Sequence, residues 1–222
     1  AQVLEPIYRE RGDWKKLVDV HELELNAMDD PISKVDLLHR IAEIYERGLS
    51  NKKMAFLAFS RAFREQSSNI ESIEALERLA TEMGNWSELV EVYEEQIDDI
   101  YEADLAKDLS IKIARLYEDA LSRPEDAVRK YQRVLDIDPQ DRDALSALDR
   151  LYQQLGQLEP LADVLLSEID IAQDIETGVS LRFRLADLQR VELGRLDDAI
   201  SNYQTILEYE PEHEGARESL EQ

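Results

Sequence analysis

Apolar residues recur along almost the whole chain at the spacing of one face of an α-helix. Between residues 14 and 21, Trp14, Leu17, Val18 and His21 stand at positions i, i+3, i+4 and i+7. This period is typical of an amphipathic helix with one buried side, and it places His21 in the core. No sustained alternation of polar and apolar residues is present, so the pattern favours an all-α protein.

Short breaks divide this pattern into separate helices. Gly12 and Gly84 each stand two residues before a tryptophan that opens the next apolar stripe, and Gly156 stands two residues before Leu158. Proline cannot continue a helix, and prolines follow other stripes at Pro31, Pro139 and Pro211. Each break therefore predicts a tight turn between two helices.

Two serines stand where a helix could begin after a break. Ser50 precedes the stripe that contains Ala55, and Ser122 precedes Pro124 and Glu125. A serine side chain accepts a hydrogen bond from a free amide at a helix start, and a glutamate three residues later completes a capping box. Pro124 fits this position because proline is tolerated in the first turn. We therefore expect Ser50 and Ser122 to cap the helices that follow them.

The pattern repeats every 72 residues. The segment Ile111–Pro139 aligns with Leu38–Ser67 upstream and with Leu181–Pro211 downstream. Residues that match across the three copies are Ala42, Ala114 and Ala186, then Ala55, Ala127 and Ala199, then Phe59, Tyr131 and Tyr203. Self-similarity at a fixed period predicts a tandem array in which each hairpin of helices packs against its neighbours.

We expect this array to be one domain over residues 1–222, with about 12–13 helices. Its units are residues 1–69, which start inside a repeat, then 70–140 and 141–212, and the start of a fourth unit at 213–222. Neither end carries the polar capping repeat that such arrays need, so we interpret the chain as part of a longer protein.

Charge narrows the range of partners. The chain holds 50 acidic residues against 26 basic ones, which gives a net charge of −24. Such a field repels phosphate backbones and anionic lipid, so we expect no nucleic acid partner. No apolar run is long enough to span a membrane, which predicts no membrane insertion. Cysteine is absent, so disulfides and thiolate chemistry are excluded and the compartment stays open.

The second hairpin of each unit resembles the tetratricopeptide repeat family. Its central copy carries Ala114, Tyr117, Ala127, Tyr131 and Pro139 at the spacing of that family, and the outer copies carry Ala42, Tyr45, Ala55 and Phe59, and Ala186, Ala199, Tyr203 and Pro211. The first hairpins match less well, because Glu5, Glu77 and Asp149 stand where the family prefers a small residue, and Leu17, Leu89 and Leu161 where it prefers alanine. The resemblance implies a right-handed α–α superhelix, or solenoid, of tandem antiparallel helix hairpins. It also implies a non-catalytic scaffold for protein–protein interaction.

In this family the first helix of each hairpin lines a concave groove that holds a peptide segment or helix of a partner. The resemblance places Arg78, Arg115 and Arg150 at equivalent groove positions in three successive hairpins. Ile111 and Phe183 lie on the same face, where we expect them to project into the groove rather than the core. Three arginines in line could clamp an acidic side chain or a C-terminal carboxylate. The alternative is pairing within the chain, for example between Arg78 and Glu74.

The sequence presents no catalytic constellation. Its three histidines have no second ligand at metal spacing, and the acidic run from Asp136 to Asp143 lacks the glycine and glutamate of a calcium loop. No glycine-rich phosphate loop or nucleophile motif is present. We therefore expect no cofactor, no metal and no enzymatic activity.

Two other hypotheses for the function stay open. One is a regulatory or sensor segment that responds to a peptide or small ligand. The other is an RNA-binding helical repeat, which the net charge disfavours.

Overall fold

The computed structural model describes residues 4–221, and across them the chain folds into thirteen α-helices without a β-strand. In chain order they are α1 (Leu4–Arg11), α2 (Trp14–Asn26), α3 (Pro31–Glu43), α4 (Lys52–Glu65), α5 (Ile70–Met83), α6 (Trp86–Ile97), α7 (Ala103–Arg115), α8 (Pro124–Ile137), α9 (Arg142–Leu155), α10 (Leu158–Asp170), α11 (Ile175–Asp187), α12 (Leu196–Tyr209) and α13 (Glu214–Glu221). Helices that follow each other in the chain pack as antiparallel hairpins in α3 on α4, α9 on α10 and α11 on α12, among others. The predicted all-α fold of tandem hairpins is therefore confirmed.

Helix starts recur in phase along the chain. The helices α3, α7 and α11 begin at residues 31, 103 and 175, and their partners α4, α8 and α12 begin at residues 52, 124 and 196. In the remaining hairpins, Gly84 and Gly156 end α5 and α9 with φ of 71° and 64°, a left-handed conformation that glycine adopts without strain. These are the turns that the glycine positions predicted.

A turn of π-helix extends α3, α7 and α11. The three turns cover Ile44–Gly48, Leu116–Ala120 and Leu188–Glu192, and in the first of them the Leu49 amide donates to the Ile44 carbonyl at 3.0 Å. A π-turn holds one residue more than an α-turn. This extra residue lengthens the connection between the two helices of these hairpins.

The π-turn displaces the predicted helix caps. Ser50 and Ser122 follow it in left-handed conformations, with φ of 51° and 53°. The cap of α4 is instead Asn51, whose Oδ1 accepts a hydrogen bond from the Met54 amide at 3.1 Å. Arg123 stands at the start of α8 without a side-chain cap, while Pro124 occupies the first turn as expected. The prediction that Ser50 and Ser122 cap these helices was wrong, because the extra residue moves each serine one position before the cap.

The chain divides into two compact units, one up to Leu109 and one from Ser110 onward. In the first unit, Ala42 and Ala55 are fully buried between α3 and α4, beside the large rings of Phe59 and Phe63. In the second unit, the small side chains that face each other across the hairpins are equally buried: Ala114, Ala127, Ala186 and Ala199. Small residues at these positions let the two helix backbones approach closely. Tyr117, Tyr131 and Tyr203 are also buried, whereas Tyr45 is half-buried.

Candidate functional site

Arg78 lies on α5 in the first unit and is held by carboxylates of its own chain. Its two terminal nitrogens donate to the two oxygens of Glu46 at 2.7 and 2.8 Å, and one of them also donates to Glu82 at 3.1 Å. The hydrogen bond to Glu46 raises the pKa of Arg78. Glu46 comes from the π-turn of the preceding hairpin, so this pair joins two neighbouring hairpins.

Arg150 lies on α9 in the second unit, in the equivalent position 72 residues later. Its guanidinium contacts Glu118 at 2.6 Å, and Glu118 again comes from the π-turn of the preceding hairpin. Arg115 ends α7 and hydrogen bonds to the hydroxyl of Tyr131. Burial raises the pKa of Tyr131 and Glu118 adds to this shift, while Arg115 and Arg150 oppose it. Both arginines therefore take part in one network of charged and polar groups.

These contacts give Arg78 and Arg150 a structural role, because they join neighbouring hairpins. The sequence had suggested pairing within the chain only as an alternative. Pairing within the chain does occur, but the partners of Arg78 are Glu46 and Glu82 rather than Glu74. The side chains of Arg78 and Arg150 nevertheless stay 44% and 55% exposed. Ion pairs with that exposure contribute at most about 1 kcal/mol to stability.

Phe183 packs against the core rather than projecting into a groove. Its ring lies 5.8 Å from the ring of Tyr203 and 5.1 Å from that of His213, and it closes over Gly215 of the next helix. The expected orientation of Phe183 was therefore wrong, because this face of α11 meets α12 and α13. Ile111, the equivalent residue of α7, is half-buried.

A cleft lies beside α9 and α11 in the second unit. Its volume is about 270 Å³, and its lining includes Arg142 and Ser146 from α9, Glu168 from α10, and Thr177 and Leu181 from α11. Arg142, Ser146 and Arg150 follow each other at four-residue spacing, so they lie on one face of α9. Arg142 and Ser146 line the cleft, and Arg150 lies on the same face of α9.

The cleft is bordered by Arg142, which is hydrogen bonded to the main chain, and by Glu168, whose hydrogen bonding is incomplete. The Arg142 guanidinium donates to the Ile171 carbonyl at 3.2 Å. Glu168 has one carboxylate oxygen that is buried without a hydrogen-bond partner. Burial raises the pKa of Glu168, nearby Asp149 adds to the shift, and Arg184 opposes it while binding Asp149 at 2.9 Å through both nitrogens. Polar groups on both sides of the cleft could thus contact a bound main chain or side chain.

One constellation was not predicted from the sequence. In the first unit, His39 Nε2 lies 2.7 Å from Ser72 Oγ, and His39 Nδ1 lies 3.3 Å from a carboxylate oxygen of Glu71. This order of groups is the one found in serine hydrolases. Ser72 is fully buried, however, and the His39 ring packs 5.3 Å from Phe59. The three groups therefore join α3 to α5 and leave Ser72 no access to a substrate.

Two aspartates of the acidic run between α8 and α9 make local hydrogen bonds, and one of them, Asp141, caps α9. Asp138 accepts a hydrogen bond from the Gln140 amide at 3.3 Å, and Asp141 accepts one from the Ala144 amide at 2.9 Å at the start of α9.

Among residues 4–221, no three His, Asp or Glu side chains are grouped as metal ligands would be. No helix within the same residues has the length and apolarity needed to cross a membrane.

Solved structures with a similar chain path share little sequence identity with this chain. YrrB, described as a tetratricopeptide repeat protein with an unusual peptide-binding site, is 13% identical, with a TM-score of 0.43 over 84% of this chain and 91% of that one. The pilF protein of Pseudomonas aeruginosa is 15% identical, with a TM-score of 0.43 over 98% and 93%. A chain in the Naa15/Naa10 complex bound to HypK-THB is 17% identical, with a TM-score of 0.48 over 98% of this chain and 38% of that one.

The comparison with curated proteins gives no match. Family models do match, and both are models of the tetratricopeptide repeat. One matches residues 3–32, 72–110 and 109–145, and the other matches residues 180–213. Together they cover more than half of the sequence, including first and second hairpins, in a chain whose helices are arranged as tandem antiparallel pairs. The chain therefore belongs to the tetratricopeptide repeat family.

Proposed function

We propose that this chain is a non-catalytic scaffold that binds a peptide segment or a helix of a partner protein along the first helices of its hairpins. Proteins of the tetratricopeptide repeat family are generally protein-interaction scaffolds without catalytic activity. The observation that carries the proposal is the cleft beside α9 and α11, which is lined by Arg142 and Ser146 on the face of α9 that also carries Arg150. The net charge of −24 supports a protein partner over a nucleic acid.

The recognition chemistry that we propose is the exchange of carboxylates on Arg78 and Arg150. Each arginine is already positioned by a glutamate of the preceding hairpin, and each stays about half exposed. A guanidinium binds a carboxylate through two parallel hydrogen bonds, so an acidic side chain or a C-terminal carboxylate of the partner can replace Glu46 or Glu118. Arg115, which contacts Tyr131 beside Arg150, extends this surface in the second unit.

Paired substitutions test this proposal, because the two members of each ion pair should act in opposite directions. A peptide selected from a display library on the full chain provides the ligand, and its affinity is measured by titration calorimetry. Arg150→Gln and Arg78→Gln each remove a charge-assisted contact and should weaken binding by about tenfold or more. Glu118→Gln and Glu46→Gln release the same arginines and should tighten binding.

The control is Arg64→Gln, which breaks the pair of Arg64 with Glu95 between the second helices α4 and α6. It should leave the affinity unchanged while removing an ion pair of similar exposure. Equal weakening by the arginine and glutamate variants would mean that the pairs act only in the fold. Unchanged affinity in all four variants would remove the arginines from the proposed site.

A further inference from the structure

The carboxylate of Glu168 borders the cleft without a cation of its own. Glu168 lies in the last turn of α10 and is half-buried, and one of its oxygens is buried without a hydrogen-bond partner. Across residues 4–221, no basic side chain forms an ion pair with it. Burying an ionised carboxylate costs free energy unless a cation or donors compensate it, and the end of a helix disfavours negative charge.

The two basic side chains nearest to this carboxylate are already occupied. Arg184 on α11 donates to both oxygens of Asp149 at 2.9 Å. Arg142 on α9 donates to the Ile171 carbonyl at 3.2 Å. Asp149 adds a second negative charge close to Glu168, which Arg184 offsets only in part. The charge of Glu168 therefore stays uncompensated within the fold.

This uncompensated acid is specific to the α9–α10 hairpin. The residue 72 positions before Glu168 is Gln96, which is neutral and donates to the Glu95 carbonyl at 3.3 Å. The residue 144 positions before it is Glu24, which lies 3.5 Å from His21 Nδ1. The repeat itself therefore does not require an acid without a partner at this position.

The lining of the cleft suits a cation on an apolar stem. Its charged members are Arg142, Glu168 and Asp174, so negative charge is in excess. The apolar members of the lining are half-buried: Ile171, Ala172 and Leu181. A lysine side chain buries its four-carbon stem along apolar surface and places the ammonium group at the end, where it can reach a carboxylate.

The state of the Glu168 carboxylate favours lysine over arginine. A guanidinium binds best through two parallel hydrogen bonds, which need both oxygens of one carboxylate. One oxygen of Glu168 is buried, so only the other is open to a two-partner contact. An ammonium group is a compact charge that needs a single acceptor oxygen, and it offsets the charge that both oxygens share.

Building on the scaffold function proposed above, we propose that the cleft beside α9 and α11 binds a lysine side chain of the partner protein, with Glu168 as its acceptor. The net charge of −24 attracts such a group over longer range. Since Arg150 lies on the same face of α9, the preferred partner segment carries a lysine together with an acidic group.

The test uses blocked amino acids as probes and amide chemical shifts of the full chain as the readout. N-acetyl-lysine N-methylamide should shift the amide signals of Glu168, Ala172 and Thr177 in a saturable way at about 10 mM, a range that fits so small a ligand. The Nε-acetylated form of the same probe has no charge and should leave these signals unshifted. N-acetyl-arginine N-methylamide should bind more weakly than the lysine probe.

Glu168→Gln keeps the shape of the side chain and removes its charge. It should weaken binding of the lysine probe by about tenfold or more, because a charge-assisted contact is lost. It should not lower the Tm, since the carboxylate gains no partner from the fold. Asp163→Asn is the matched control, an exposed acid on the same helix, and it should leave probe binding unchanged.

Acidification supplies a second readout at the same group. Burial, together with Asp149, raises the pKa of Glu168, while hydrogen bonds from the Thr177 amide and hydroxyl lower the pKa of Asp174. On acidification Glu168 should therefore take up its proton before Asp174 does, and probe binding should weaken at that step. The Glu168→Gln variant should lack this step.

Unchanged binding in Glu168→Gln would overturn the proposal, and so would equal shifts from the charged and the acetylated lysine probe. An absence of shifts in the unmodified chain would also overturn it. The scaffold proposal is judged separately, by the affinity of the display-selected peptide for Arg150→Gln. Peptide binding that depends on Arg150 but not on Glu168 would remove the lysine site alone.

Discussion

Replacing Tyr203 by alanine should lower the free energy of unfolding of the second unit by about 3–5 kcal/mol, the usual loss for a large buried ring. Tyr203 is 1% exposed and packs with Val179, Ala186, Ile206 and Ala216 in one core cluster. Its ring also contacts Phe183. Truncation would leave a cavity where α11, α12 and α13 meet. Denaturant unfolding followed by circular dichroism measures the loss.

Tyr203→Phe is the control that isolates the ring from its hydroxyl. The hydroxyl donates to Asp187 at 2.5 Å, and removing it should cost only about 1 kcal/mol. The chain itself supports this expectation, because the equivalent residue of the first unit is Phe59, which is 5% exposed. If alanine and phenylalanine destabilised the unit equally, the hydroxyl network and not the packed ring would hold the three helices together.

Replacing His21 by leucine should stabilise the first unit by about 1–2 kcal/mol, because a buried polar group without a partner costs about 1–3 kcal/mol. His21 is fully buried on α2, as its place in the apolar stripe predicted, yet neither ring nitrogen has a hydrogen-bond partner. The equivalent residues 72 and 144 positions later are Tyr93 and Leu165, both buried, so the site accepts an apolar side chain.

The carboxylate of Glu24 is the one group that could reverse this result, since it lies 3.5 Å from His21 Nδ1. Thermal unfolding of His21→Leu should therefore be compared with that of Glu24→Gln and of the double variant. If His21→Leu raises the Tm by the same amount with and without the Glu24→Gln change, the expectation that His21 gains nothing from Glu24 is confirmed. A loss of stability in His21→Leu would show instead that the contact with Glu24 is a net favourable interaction.

The fold could be predicted from the sequence because its information is local and repeated. Gly84 and Gly156 end helices in a left-handed turn, and Pro124 begins one, as their conformational preferences require. The small residues Ala114 and Ala186 are fully buried, as their place in the repeat predicted. Each of these signals acts within one hairpin, and their recurrence in phase strengthens every one of them.

The caps and the side-chain pairs could not be predicted in the same way. Ser50 and Ser122 looked like caps, but the π-turns before them shift the helix start by one residue. The bond between Glu46 and Arg78 joins residues 32 apart, so it depends on how one hairpin is rotated against the next. That rotation follows from packing across the whole interface and not from any local motif.

The same limit explains the error at Phe183. The family resemblance placed Phe183 on the groove side, on the same face as the arginine positions. Phe183 packs toward the core because Gly215 on α13 leaves room for its ring. A Cβ atom at position 215 would come within 3.0 Å of that ring. A small residue in the following helix was the available signal, and recognising it required knowledge of which helices meet.

The most direct test of the proposed scaffold function is to locate a bound partner on the chain. A photoreactive phenylalanine is placed at Ser146, beside the cleft on α9, or at Asp163, which is exposed on the second helix α10. Each protein is then irradiated with the peptide selected from the display library, and the cross-linked fraction is measured by mass spectrometry. Binding along the first helices predicts capture from position 146 and not from position 163. Capture from position 163 alone would contradict the account and place the partner on the second helices.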